Sequence, residues 1–147
     1  MEAAVVADGK GQPFSVRFGR RTDAFMDAEA KRLKRSKSSL VEELADEAAK
    51  TRRFPGLAFR GDWPYRDPWI IGTGLDVWEL CEILEHYDGS IDAVVADYDG
   101  VDERACRLAL AYQREHPEEI ADAVAQNNRT PEEWLTLYPF IEPAGRQ

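Results

Sequence analysis

The sequence predicts a mainly α chain: one strand and two helices first, then a small helical domain carrying a short β-hairpin. Three observations lead there. Phe14, Val16 and Phe18 alternate with Ser15 and Arg17 in the stretch FSVRFGRRTDAF, the two-residue period of a strand. Two helical stripes follow back to back, and beyond residue 56 several start signals open helical segments in close succession.

Residues 1–12 are small, polar and glycine-containing, so they read as a disordered tail. After the strand, Thr22 reads as a helix N-cap with Asp23 in the first turn. Met26, Ala30 and Leu33 then carry a helix to about Arg35. Ser36-Lys37-Ser38-Ser39 starts a second helix at once, whose stripe is Leu40, Leu44 and Ala48 beside Val41, Ala45 and Ala49. Phe54-Pro55-Gly56 ends it. Residues 57–71 hold two short apolar pieces, LAF and WII, around the turn-rich GDWPYRDP, the pattern of a small hairpin. Asp76 with Glu79 forms a capping box, leading into a stripe of Val77, Leu80, Cys81, Leu84 and Tyr87. Ser90 caps a short helix, and Asp102 caps another with Ala105, Leu108, Ala109 and Tyr112 on its inner face. Pro117 opens a further helix, and Thr130-Pro131-Glu132-Glu133 has the cap, first-turn proline and glutamate of a last one.

The chain has 147 residues and a formal net charge of -9, but the charge is unevenly spread. Residues 10–37 hold nine Lys/Arg against three Asp/Glu, whereas residues 38–147 hold ten against twenty-three. A change of sign this sharp suggests two modules facing different partners, the basic one suited to phosphate. With 44% hydrophobic residues the chain can bury a core. Glu2 and Asp8 interrupt the start where a secretory leader would be apolar, and no run approaches a membrane span. A cytoplasmic protein with no membrane association is the expectation, with Cys81 and Cys106 reduced.

A lone strand leaves its backbone groups unpaired and its three large residues uncovered. A second copy of the chain cures both. Two strands pairing antiparallel across a two-fold axis would bury Phe14, Val16 and Phe18 as a dimer core and turn Ser15 and Arg17 outward. Such a ribbon fits the DNA major groove, where Arg17 can bond bidentately to guanine and Ser15 to several bases. Arg20 and Arg21 add charge beside it. Ser36, Lys37, Ser38 and Ser39 at a helix start can clamp the DNA backbone. The plainer alternative is an edge strand of a single-chain fold with solvated arginines.

These residues resemble the ribbon-helix-helix family of bacterial DNA-binding proteins, the CopG/Arc-like group. FSVRF lies at the ribbon, MDAEAKRL at the first helix and SKSSLVEELADEA at the second, over residues 13–53. One departure is Lys34, which stands in the turn where members often have glycine. Residues 54–127 are similar to small bacterial proteins catalogued as domain of unknown function number 433. The motifs are GTGLDVWEL (72–80), the turn at 88–90 and RLALAYQREHPEEI (107–120). That resemblance implies helix-turn-helix-related helices and an antitoxin of the VapB kind. Together the two imply a dimeric antitoxin of a type II toxin-antitoxin system. It would repress its own operator DNA and neutralise a PIN-like ribonuclease toxin. The alternative is a stand-alone ribbon-helix-helix transcriptional regulator with no toxin.

The residues temper a DNA role for the second module. Arg104, Arg107 and Arg114 lie on its would-be recognition helix, yet Asp97, Asp99, Asp102 and Glu103 crowd the end that would meet phosphate first. A basic protein partner suits that surface better. Residues 128–147 contain Trp134, Leu137, Tyr138 and Phe140, which either pack on their own domain or bind a partner.

No catalytic residues and no cofactor are expected. Cys81 and His86 diverge on a helix, and Cys106 and His116 lack a zinc spacing, so no metal site is read. DYDGVDE breaks the calcium-loop pattern, Gly72-Thr73-Gly74 lacks the rest of a nucleotide loop, and no nucleophile triad is visible. An enzyme is not expected.

Overall fold

In a computed structural model of the protein, the structure describes residues 9–140. Most of the expected tail, and residues 141–147 of the C-terminal segment, lie outside the described residues. Among those described there are seven helices and one two-stranded sheet: α1 (Arg20–Leu33), α2 (Lys37–Arg53), β1 (Leu57–Arg60), β2 (Asp67–Ile70), α3 (Val77–His86), α4 (Ile91–Asp97), α5 (Glu103–Glu115), α6 (Pro117–Asn127) and α7 (Pro131–Leu137). The expected mainly α architecture with a hairpin after two helices is therefore present. Contacts divide the chain into two compact units, one through Glu42 and one from Glu43 onward.

The strand expected at residues 14–18 is not formed in the single chain. Residues 10–19 belong to no helix or ladder. The reason is physical: a strand exists by virtue of hydrogen bonds to a neighbour, and this segment has no ladder partner among the described residues. The start of α1 also differs from expectation. Gly19, extended at φ -60 and ψ 150, is the cap residue, and Asp23 N–H already donates to the Gly19 carbonyl at 2.9 Å. Thr22 is thus inside the helix, because Arg20 and Arg21 are good helix formers and nothing in Arg-Arg-Thr breaks the first turn.

The turn from α1 to α2 accommodates Lys34 where a glycine would be easiest. Lys34 adopts the left-handed conformation, φ 53 and ψ 43. Its N–H donates to the Lys31 carbonyl at 3.2 Å, and the Arg35 N–H donates to Ala30 at 3.0 Å. These two bonds make a Schellman motif, which satisfies the last carbonyls of α1 despite the unfavourable residue. Ser36 then caps α2, its Oγ accepting from the Ser39 N–H at 3.1 Å. Between the two helices Met26, Ala30 and Leu40 are buried, with Leu33 and Val41 half-covered beside them.

The second unit has a larger core. Phe54, Leu57, Ile70, Val77, Leu80, Cys81, Leu84, Val94, Val101, Ala105, Cys106, Ala109, Tyr112 and Ile120 form one buried cluster. Helix α3 packs chiefly on α5 and also on α6, α4 and β2. The hairpin pairs Leu57 with Ile70 and Arg60 with Asp67, antiparallel. Its tight turn needs Gly61: a Cβ there would sit 2.5 Å from the Tyr65 carbonyl oxygen, at φ +97. At its base Thr73 Oγ1 donates to the Ile70 carbonyl at 2.8 Å and accepts from the Leu75 N–H at 3.0 Å. The Gly-Thr-Gly stretch is thus a turn that delivers the chain to α3.

The expected caps of this unit form. Glu79 accepts from the Asp76 N–H at 2.7 Å, Asp102 from Ala105 at 2.8 Å, and Thr130 from Glu133 at 3.2 Å. Ion pairs hold the distal half of α2 to the same unit: Lys50 to Glu119 at 3.1 Å, Arg53 to Glu115 at 2.5 Å and Arg66 to Glu47 at 2.5 Å. The Tyr112 hydroxyl donates to Glu119 at 2.8 Å, so one carboxylate ties α2, α5 and α6 together.

Two stability measurements follow. Replacing Lys34 by glycine removes the left-handed penalty, and chemical denaturation should show stabilisation of about 0.5–1 kcal/mol. A loss would mean that the Lys34 side chain itself holds the turn. Burial pushes the Cys81 thiol from its ordinary 9.0 up to about 12. The folded chain therefore keeps a proton that the unfolded chain releases, so this contribution is intact below pH 9 and lost as pH rises toward 12. Stability measured over that alkaline range should fall more steeply for the wild type than for Cys81→Ala.

Candidate nucleic-acid interface

Residues 14–21 are exposed throughout, including Ser15, Arg17, Arg20 and Arg21. Phe14 is 86% exposed, Val16 56% and Phe18 38%. The residues expected as a dimer core are thus bare in one chain. They are large and apolar, and they alternate with Ser15 and Arg17 on a segment whose backbone has no ladder partner among the described residues. Phe25, on the outer side of α1, is 57% exposed as well. Four large apolar side chains in the open stand against the three residues buried between α1 and α2. Such a ratio is the reverse of what an isolated helix pair needs to fold.

The extension of α1 back to Arg20 changes the local electrostatics. Arg20 and Arg21 occupy the first turn, with Asp23 the acidic residue there. A helix N-terminus carries partial positive charge, so two guanidinium groups at that end repel it and favour an anion. The sequence pattern alone put both arginines outside the helix, and so missed this arrangement.

At the start of α2 the expected phosphate contacts divide. Ser38 is exposed. Ser36 is occupied by its capping bond, and Ser39 Oγ accepts from Arg35 Nη2 at 2.7 Å, leaving its own hydroxyl proton to donate. The backbone N–H groups of Lys37 and Ser38 point away from the helix with no intrahelical acceptor, as the geometry of a helix start requires.

Lys37 is engaged elsewhere. Its ammonium lies 2.6 Å from Asp23 and 2.9 Å from Asp27 of α1. The hydrogen bonds it donates to these carboxylates, Asp23 first, hold its pKa above the ordinary lysine value. In the free chain Lys37 locks the start of α2 to α1, and only its third N–H is left for a phosphate. Nothing in the sequence pattern announces this, because Lys37 and Asp23 meet only once the Lys34 turn has brought the helices together.

The C-terminal aromatics also come together, but on one another. Trp134 stacks on Tyr138 with centroids 5.7 Å apart, Tyr138 meets Phe140 edge-on at 5.9 Å, and Arg129 lies over Trp134 at 5.5 Å. None of the residues of α7 is buried, and Phe140 is 80% exposed. They do not join the buried core of the unit among the described residues. In the second unit Arg104, Arg107 and Arg114 are all exposed, and Arg107 is paired with Glu103 at 2.6 Å.

Among the described residues no group of three or more His, Cys, Asp and Glu is placed to hold a metal ion, and no helix is long and apolar enough to cross a membrane. Asp99 and Gly100 form a turn, and Asp102 spends its carboxylate on the α5 cap. Compared with models of known families, with curated proteins and with solved structures, the chain matches none. The two family resemblances therefore rest on the quoted residues alone.

Proposed function

We propose that the chain is a dimeric DNA-binding protein of ribbon-helix-helix type. Its N-terminal segments pair as a two-stranded ribbon, and its acidic helical unit engages a basic protein. The observation that carries this reading is the exposed stripe of Phe14, Val16 and Phe18 on a segment with no ladder partner among the described residues. Pairing with a second copy satisfies the backbone groups, covers the stripe and presents Ser15 and Arg17 together on the opposite face. Arg20 and Arg21 in the first turn of α1, with Ser38 and the free amides at the start of α2, supply phosphate contacts on the flanks.

The Schellman turn at Lys34 supports the same reading, since it gives the tight helix pair that the motif needs without glycine. Lys37 then belongs to the scaffold more than to the contact surface. The partner assignment draws on the second resemblance: the acidic unit acts as an antitoxin, holding a PIN-like ribonuclease toxin through its negative surface and the exposed aromatics of α7. Autorepression of a shared operator follows from combining the two halves.

DNA titrations with the natural upstream sequence test base readout. Arg17→Ala should weaken binding to a guanine-containing site by about 1–3 kcal/mol and relax discrimination at one position. Arg20→Ala should weaken binding uniformly across sequences and reduce the salt slope by about one. Unchanged affinity and specificity for Arg17→Ala would remove base readout from the account.

A further inference from the structure

The surface between α3 and α4 carries a feature that the DNA-binding reading does not use. An open hollow of about 500 Å³ is lined by Glu82, Ile83, Glu85, His86, Tyr87 and Tyr98. Two aromatic rings form its wall: Tyr87 and Tyr98 meet edge to face, with centroids 6.1 Å apart and planes at 77°. Tyr87 is held in place because its hydroxyl donates to Asp97 at 2.8 Å. That hydrogen bond also keeps the phenol protonated to higher pH than usual.

The charge around the hollow is uncompensated. Elsewhere in this unit the carboxylates of Asp76, Glu47, Glu115 and Glu103 are each met by an arginine. No lysine or arginine lines the hollow. Glu82 accepts from the Asn128 amide at 2.9 Å through one oxygen, leaving the other open. The side chain of Glu85 has no hydrogen bond or ion pair among the described residues. Glu82 and Glu85 thus share the lining with His86 and the two tyrosine rings, and no lysine or arginine is among them.

A flat cation satisfies both sets of groups at once. A guanidinium stacks on a tyrosine face and offers paired N–H donors to a carboxylate, which a compact ammonium does less well. We infer that this hollow receives an arginine side chain presented by a partner protein. The inference stands whether or not the N-terminal segment binds DNA.

The test is a titration of the full-length protein, followed by backbone amide shifts, with an acetylated, amidated Gly-Arg-Gly tripeptide. Saturable shifts confined to residues 82–87 and 98 are expected. The same peptide with citrulline in place of arginine keeps the shape and loses the charge, and should give none. Glu85→Gln and Tyr98→Leu, both at exposed positions, should each weaken binding about threefold to fivefold. Glu132→Gln on α7 should leave it unchanged. Agmatine, a free guanidinium, should bind no more tightly than the peptide. Absence of saturable shifts, equal binding of the citrulline peptide, or indifference to both hollow variants would overturn the site. Tenfold tighter binding of agmatine would overturn the assignment to a protein-borne side chain. Amide spectra of each variant that overlay the wild type outside the hollow separate loss of the site from loss of the fold.

Discussion

The N-terminal unit is governed by a shortage of apolar cover. Met26, Ala30 and Leu40 are the buried residues between its two helices, while Phe14, Val16, Phe18 and Phe25 are exposed. Burying a side chain of this size is worth about 1.5–3 kcal/mol, so the uncovered set outweighs the covered one as a source of stability. Short helices are marginal in water without such packing. The Schellman turn at Lys34 and the Lys37 clamp on Asp23 and Asp27 fix the angle between α1 and α2, but exposed ion pairs contribute little free energy. On the proposed reading, what completes the unit is apolar and brings hydrogen-bonding groups for residues 14–18.

The second unit has no such shortage. Its buried cluster draws on both strands and on α3, α4, α5 and α6. At its edge Glu119 is shared by Lys50 and the Tyr112 hydroxyl. The aromatics of α7 pack on one another without entering the core, and no lysine or arginine is among the described residues that line the acidic hollow beside Tyr87 and Tyr98. On the proposed reading these open surfaces are where the acidic unit would meet a basic partner.

Much of the fold was legible because its signals are local. The stripe of Val77, Leu80, Cys81 and Leu84, the Asp76–Glu79 box, the Pro117 start and the Thr130–Glu133 box depend on residues a few positions apart, and each is where its pattern placed it. The start of α1 was misread because Thr22 is a good cap, whereas continuation through Arg20 and Arg21 is decided by competing weak propensities. The candidate site was legible only in part. Alternation marked Phe14, Val16 and Phe18 and their partners Ser15 and Arg17. The role of Lys37 as a clamp, and the meeting of Tyr87 with Tyr98, depend on separations that no local pattern encodes. The proposed pairing of residues 14–18 with a second chain shows in the sequence only as an alternation with no partner strand near it.

The central claim is that the bare stripe of residues 14–18 is covered by the same stripe of a second copy. Sedimentation equilibrium of the full-length chain tests it most directly, comparing wild type with Val16→Asp. A charge in the middle of the paired ribbons would be buried without a partner, a cost of several kcal/mol. The account predicts a wild-type dimer and a Val16→Asp monomer whose far-ultraviolet spectrum retains the helices of the second unit. A wild-type monomer, or a Val16→Asp dimer of unchanged affinity, would contradict it.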